Sequence, residues 1–172
     1  MSNVVNIIVT IDTQSIIRDY PSPSQDQNNP TGLNHTYQYM VATSAVAING
    51  SDGTADLNVS ANVGDVIRWT GESESANFES SILIYALGQF GGTQVFSNPV
   101  FKMFTKASMQ PAQNTIFPVT FPNQNFWFIE ADITNTGTEN YTVKFALYNR
   151  PTGGAQQLYG YFYWDPTLTI NN

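Results

Sequence analysis

Apolar and polar residues alternate along most of this chain with a period of two. Ala55, Leu57, Val59 and Ala61 are interleaved with Asp56, Asn58 and Ser60, and Tyr141, Val143, Phe145 and Leu147 with Thr142, Lys144 and Ala146. In an extended strand successive side chains point to opposite faces, so both segments read as strands with one buried and one wet face. The same pattern predicts strands over residues 4–11, 37–48, 65–70, 81–87, 100–105, 115–121, 126–133, 158–164 and 167–170. Turn chemistry separates them. Asn49-Gly50 and Asp52-Gly53 mark a tight reversal before Ala55, because glycine accepts the positive φ such turns require. Val63-Gly64-Asp65 introduces the next strand, Asn135-Thr136-Gly137 separates two late ones, and Gly91-Gly92 and Thr152-Gly153-Gly154 read as loop tips. Helix is expected only over residues 12–20, a short turn through Ile16 and Ile17 with Thr13 as its cap. About ten short strands with little helix predict an all-β fold, a single-domain antiparallel β-sandwich of jelly-roll or Ig-like type over residues 1–172.

Composition narrows the partners. Hydrophobic residues make up an ordinary 41% and aromatics 13%, but charged residues only 11%, far below the roughly 25% usual in soluble domains. Neutral Asn, Thr, Gln and Ser take their place. The net charge of −7, with 6 scattered basic residues, argues against nucleic acid and against an anionic membrane surface, both of which recruit Lys and Arg. A weakly charged, amide-rich surface resists self-association poorly, so a homo-oligomer or a denser assembly is expected. The absence of cysteine removes thiol chemistry and Cys-based zinc sites. No apolar run approaches the roughly 20 residues of a membrane span. Met1-Ser2-Asn3-Val4-Val5-Asn6 lacks the basic start and cleavage site of a secretory signal, so a cytoplasmic location is expected.

Candidate chemistry is sparse. His35 is the sole histidine, and a hydrolytic triad would need it beside a nucleophilic serine and an acid. Glu72 and Glu74, and Glu130 and Asp132, stand two apart and would share a strand face, as paired acid–base carboxylates could; a solvated loop for the first pair and the wet face of a strand for the second account for them more simply. Hard cations seek carboxylate, amide and carbonyl oxygens on loops. The segment Asp26-Gln27-Asn28-Asn29 offers these, with Asp12 and Asp19 as further ligands and Asp52 and Asp56 as a second cluster. A calcium set of Asp12, Asp26 and Asn28 is one reading; turn chemistry, with the side chains bonded to their own backbone, is the other. Tyr159, Tyr161 and Tyr163 fall on one face of a strand by alternation, with Phe162 and Trp164 on the other. Aromatic rings beside amides recognise sugars, and they equally compose protein interfaces. The candidate ligand-binding residues are Asp26, Asn28, Asn29, Tyr161, Tyr163 and Trp164.

Several segments in order resemble the PixA/AidA family of bacterial inclusion-body and quorum-regulated proteins. They are Val9-Thr10-Ile11-Asp12-Thr13, residues 21–32, Tyr39-Met40-Val41-Ala42, Gly53-Thr54-Ala55-Asp56-Leu57, Val63-Gly64-Asp65-Val66-Ile67-Arg68-Trp69, Ile82-Leu83-Ile84-Tyr85 and Tyr161-Phe162-Tyr163-Trp164-Asp165-Pro166-Thr167. The resemblance implies a small, abundant bacterial protein, sometimes packed into intracellular inclusions, and brings no catalytic residues with it. The inclusion-forming branch is rich in methionine and this chain has 4, which tilts the expectation toward the quorum-regulated, virulence-associated branch. Two non-enzymatic readings follow: a lectin-like module for glycans or small polar ligands, and a self-assembling inclusion-body, storage or interaction protein.

Overall fold

The protein is described by a computed structural model covering all residues except Met1, Ser44, Thr152, Gly153 and Asn172. Its strands are β1 (Val4–Ile11), β2 (Thr31–Gly32), β3 (Gln38–Val41), β4 (Leu57–Ser60), β5 (Val66–Ser73), β6 (Ser80–Gly92), β7 (Val100–Ala107), β8 (Asn123–Asp132), β9 (Gly137–Asn149), β10 (Gln157–Trp164) and β11 (Thr167–Asn171), with one helix, α1 (Thr13–Asp19). One sheet has the order β3-β1-β5-β8-β7; the other runs β2-β10-β9-β11-β4, with β6 on the free side of β9. No helix among the described residues is long and apolar enough to cross a membrane.

The two sheets bury their alternating apolar rows against each other. β1 contributes Val5, Ile7, Val9 and Ile11; β9 contributes Tyr141, Val143, Phe145 and Leu147; β10 contributes Phe162 and Trp164. Trp69 of β5 meets Phe96 and Tyr141 with ring centroids 5.2 and 6.1 Å away, and Phe145 stacks on Phe162 at 5.6 Å. The β-sandwich read from alternation is therefore the fold. Its ladders are mixed rather than wholly antiparallel, since β1 pairs with β5, β10 with β2 and β11 with β4 in parallel. Alternation reports which face of a strand is buried, and both ladder types satisfy it equally.

Local departures have local causes. The stretch expected as strand over 37–48 ends at Val41: the next amide, Ala42 N–H, donates to Asp52 Oδ1 (2.9 Å), and Val46 and Ala47 N–H turn back to Thr43 O. The strand expected over 115–121 is a loop held by one bridge, Gln110 to Thr120. Pro118 within that segment and Pro122 just after it lack the amides a ladder would need. The helix is capped by Asp12, whose side chain accepts from Ser15 N–H. Thr13, expected as the cap, is buried, and Glu74 receives both its N–H and its hydroxyl at 2.8 Å. The Thr152-Gly153-Gly154 loop tip lies partly outside the described residues.

Trp69 is fully buried between the layers. Trp69→Ala is expected to lower stability by about 3–5 kcal/mol in denaturant titration, through lost burial and the cavity left behind. A change under about 0.5 kcal/mol would be that of a surface position and would contradict this packing.

Candidate functional site

The loop between α1 and β2 lies along β10. Tyr161 N–H donates to Ser24 O (2.9 Å), Leu33 N–H to Tyr163 O (2.8 Å), and Gln25 Nε2 to Tyr159 O (2.7 Å). The approach is so close that a Cβ on Gly160 would stand 2.5 Å from Pro23 Cγ. The loop thus supplies β2 as an edge strand, placing Thr31 opposite Phe162 and Gly32 opposite Tyr163. Within it Asp26 makes an Asx turn, accepting from Asn28 N–H at 2.9 Å, while Asn29 N–H donates to Asp26 O at 3.1 Å. From β6, Tyr85 donates its hydroxyl to Gln27 O (2.8 Å) and packs edge-on against Tyr161 at 5.8 Å.

Three of the expected ligand residues meet. Asn28, Asn29 and Tyr163 line a shallow cavity of about 370 Å³ together with Pro30, Gly32, Thr142 and Lys144. Lys144 faces Tyr163 across the β9–β10 ladder. An ammonium, a hydroxyl, two amides and an aromatic face therefore converge on one dent. Asp26 and Tyr161 support the loop instead. Trp164 is a correction: it is fully buried, with its indole N–H donating to Ala55 O at 3.3 Å. The expected face of half-buried Tyr159 is a second correction, because the β9–β10 register shifts between Leu158 and Gly160. The shift turns Tyr159 inward, where it stacks on Phe162 and donates to Tyr20 O (2.7 Å) and Ile17 O (3.1 Å).

The expected cation set is occupied locally. Asp12 caps α1 and Asp26 closes its own turn, while Asp52 accepts from Ala42 N–H. Asp19 pairs with Arg18 at 2.7 Å. Among the described residues no three of His, Cys, Asp and Glu gather as a metal-holding group. The paired carboxylates diverge too: Glu74 holds the start of α1, and Glu130 pairs with Arg68 at 2.7 Å. The buried Glu139 accepts from Val95 N–H (2.6 Å) and Phe96 N–H (3.3 Å), tying residues 95–96 to β9.

His35 bridges two turns. Its Nδ1 lies 3.1 Å from Asp56 Oδ2 and its Nε2 3.3 Å from Asp165 Oδ1. Both nitrogens face carboxylates, leaving neither to activate a hydroxyl. Partial burial disfavours the imidazolium, but hydrogen bonds to Asp165 and Asp56 outweigh it, and the pKa lies above the ordinary 6.5. The charged bridge is therefore fully formed below the ordinary histidine value and is lost as pH rises through the elevated one. The melting temperature is expected to fall as pH rises from the ordinary histidine value through the elevated one. His35→Gln should flatten that slope; an unchanged slope in the variant would assign it to another group.

A second surface went unread in the sequence. β7, β8 and the connection between them form an arm at one edge of the first sheet. Register places Phe101 beside buried Ile129 and Met103 beside Trp127, all on the core-facing side. The opposite sheet does not reach this far, and Phe101, Met103 and Trp127 stay 51, 59 and 40% exposed. On the other side Phe104 stacks on Phe128 at 5.8 Å, with the Arg68 guanidinium 4.5 Å from the Phe128 centroid. Ile116, Phe117 and Phe121 in the connection are more exposed still. The available signal was the run from Ser80 to Ile129, which holds no Asp or Glu.

The sequence matches the profile of the PixA family, described as inclusion body protein, over residues 3–170. Comparison with curated proteins finds no match. The crystal structure of an inclusion body protein (PixA) from Burkholderia cenocepacia superposes with a TM-score of 0.84 at 29% identity, over 99% of this chain and 97% of that one. With the family profile covering nearly its whole length and the same sandwich in a solved relative, the chain belongs to the PixA inclusion body protein family.

Proposed function

We propose that this chain is a non-catalytic, self-assembling protein whose copies associate through the β7–β8 arm. One observation carries the reading: the core-facing side of the arm is apolar and uncovered. Contiguous exposed apolar surface of this kind marks an interaction site, and a long apolar edge strand is itself a template for association. The family's description as inclusion body protein agrees with dense assembly. Sedimentation across a wide concentration range is expected to show rising mass for the native chain, and a shift toward monomer for Met103→Asp. Native protein that stays monomeric at high concentration would sink the proposal.

A second reading rests on the cavity where Asn28, Asn29 and Tyr163 meet Lys144. There the chain acts as a lectin-like module for a small polar ligand. The aromatic face would pack on sugar C–H groups, the amides and the Thr142 hydroxyl would bond sugar hydroxyls, and the ammonium favours an acidic sugar over a neutral one. A glycan array run with and without chelator tests it. The expected result is chelator-independent binding, strongest for carboxylate-bearing sugars and reduced in Tyr163→Ala and Lys144→Gln. No signal above background from folded protein removes this reading.

A further inference from the structure

We infer that the solvent face of the β7–β8 arm holds a binding site for a small, flat aromatic ligand that bears a carboxylate. The site lies on the side of the sheet away from the core. It is separate from the apolar side assigned to self-assembly and from the cavity at Asn28 and Tyr163.

Register sets the arrangement. Arg68 stands opposite Glu130 in the β5–β8 ladder, and on the same face Phe128 pairs with Lys102, Phe126 with Phe104 and Gln124 with Lys106. Arg68, Phe104, Lys106, Phe126 and Phe128 line one cavity of about 470 Å³. That volume falls in the ordinary range of small-molecule sites. Its floor is aromatic. Phe104 and Phe128 stack at 5.8 Å with 25° between their planes, and Phe104 and Phe126 stay 45 and 42% exposed. An aliphatic chain laid on these rings would gain buried area alone, whereas another ring adds offset or edge contacts to it.

The guanidinium is held ready for an anion. Arg68 Nε donates to Glu130 at 2.7 Å, and its Cζ lies 4.5 Å from the Phe128 centroid. These two contacts fix the side chain, yet among the described residues neither of its Nη groups makes a hydrogen bond. A free pair of guanidinium N–H donors in fixed geometry matches the two oxygens of a carboxylate. Lys106 supplies a second cation, four residues and roughly 13 Å along the ladder from the level of Phe128. It has no ion-pair partner among the described residues.

The acids nearby do not cancel this charge. Glu130 is already bonded to Arg68, and no carboxylate lines the cavity. Asp132 stands at the base of the ladder beside Val66, and Glu72 lies on β5 beyond the last residue paired with β8. The cavity therefore keeps an excess positive charge on a chain whose net charge is −7. A carboxylate answers the cations and a ring answers the floor.

Titration of the full chain with 2-naphthoate tests this, read by calorimetry and by amide chemical shifts. Two further probes set the ligand class: 2-naphthamide keeps the rings without the charge, and decanoate keeps the charge without the rings. Naphthoate is expected to bind about tenfold or more tightly than either, with shifts centred on Phe104, Lys106 and Phe126. Lys106→Glu and Phe126→Ser, both at exposed positions, should each weaken it by about tenfold, and Lys106→Arg should retain it. Thermal melts verify folding, and if Phe126→Ser does not fold, Lys106→Glu decides alone. Naphthamide that binds as tightly as naphthoate would overturn the anion site, and decanoate that does so would overturn the aromatic one. Shifts centred on Phe101 and Met103, or on Asn28 and Lys144, would place the ligand elsewhere and overturn the assignment. Folded protein that binds no naphthoate would overturn it outright and leave self-assembly standing.

Discussion

The inner face of β9 is the surface to which the rest of the molecule is fitted. Tyr141, Val143, Phe145 and Leu147 are fully buried along it. One edge of the strand carries β6, and the other carries β10 and then β11. Satisfying both backbone edges of a 13-residue strand while burying every second side chain leaves it no freedom of register. Trp69 and Phe96 meet the row at Tyr141 and Phe162 and Trp164 extend it, so both layers take their position from this one strand.

That constraint also makes the two surfaces of interest. The second sheet is centred on β9, and beyond its reach the first sheet continues into β7 and β8 with its inner row uncovered. The arm is the part of the sandwich that has no opposite layer. On the far side, β10 is pinned to β9, and its own free edge is closed by the 21–32 loop through Gly32 and the Ser24 carbonyl. The polar cavity is what remains between that loop and the wet side of β9, which is why a lysine and a threonine of β9 share it with amides of the loop.

Each surface has its own electrostatic character because the few charges of the chain are unevenly placed. Carboxylates concentrate on the turns and helix ends, where they cap and close: Asp12 and Glu74 at α1, Asp26 in its Asx turn, Asp56 and Asp165 around His35. Their work is holding irregular backbone together, since buried or half-buried amides need acceptors. The β7–β8 ladder is regular and needs few such acceptors: Glu130 and Asp132 stand at its base, and no acid occurs between Ser80 and Ile129.

The sequence determined the layers. Alternation located most strands, β1 to the residue, because burial of every second side chain is written directly in residue type. It also marked the amide-rich loop and the aromatic strand, and the tertiary structure brought Asn28, Asn29 and Tyr163 together. What the chain could not disclose was anything set by neighbours distant in sequence. The parallel pairing of β1 with β5 depends on the path between them, and the inward turn of Tyr159 on a one-residue register shift in the β9–β10 ladder. Trp164 belongs to the core for a reason of the same kind: a second sheet covers it. The arm shows the converse, since Phe101 and Met103 alternate like core residues and only the absence of an opposite layer leaves them in solvent. Period and composition fix which face of a strand is apolar, and packing alone decides whether that face is covered.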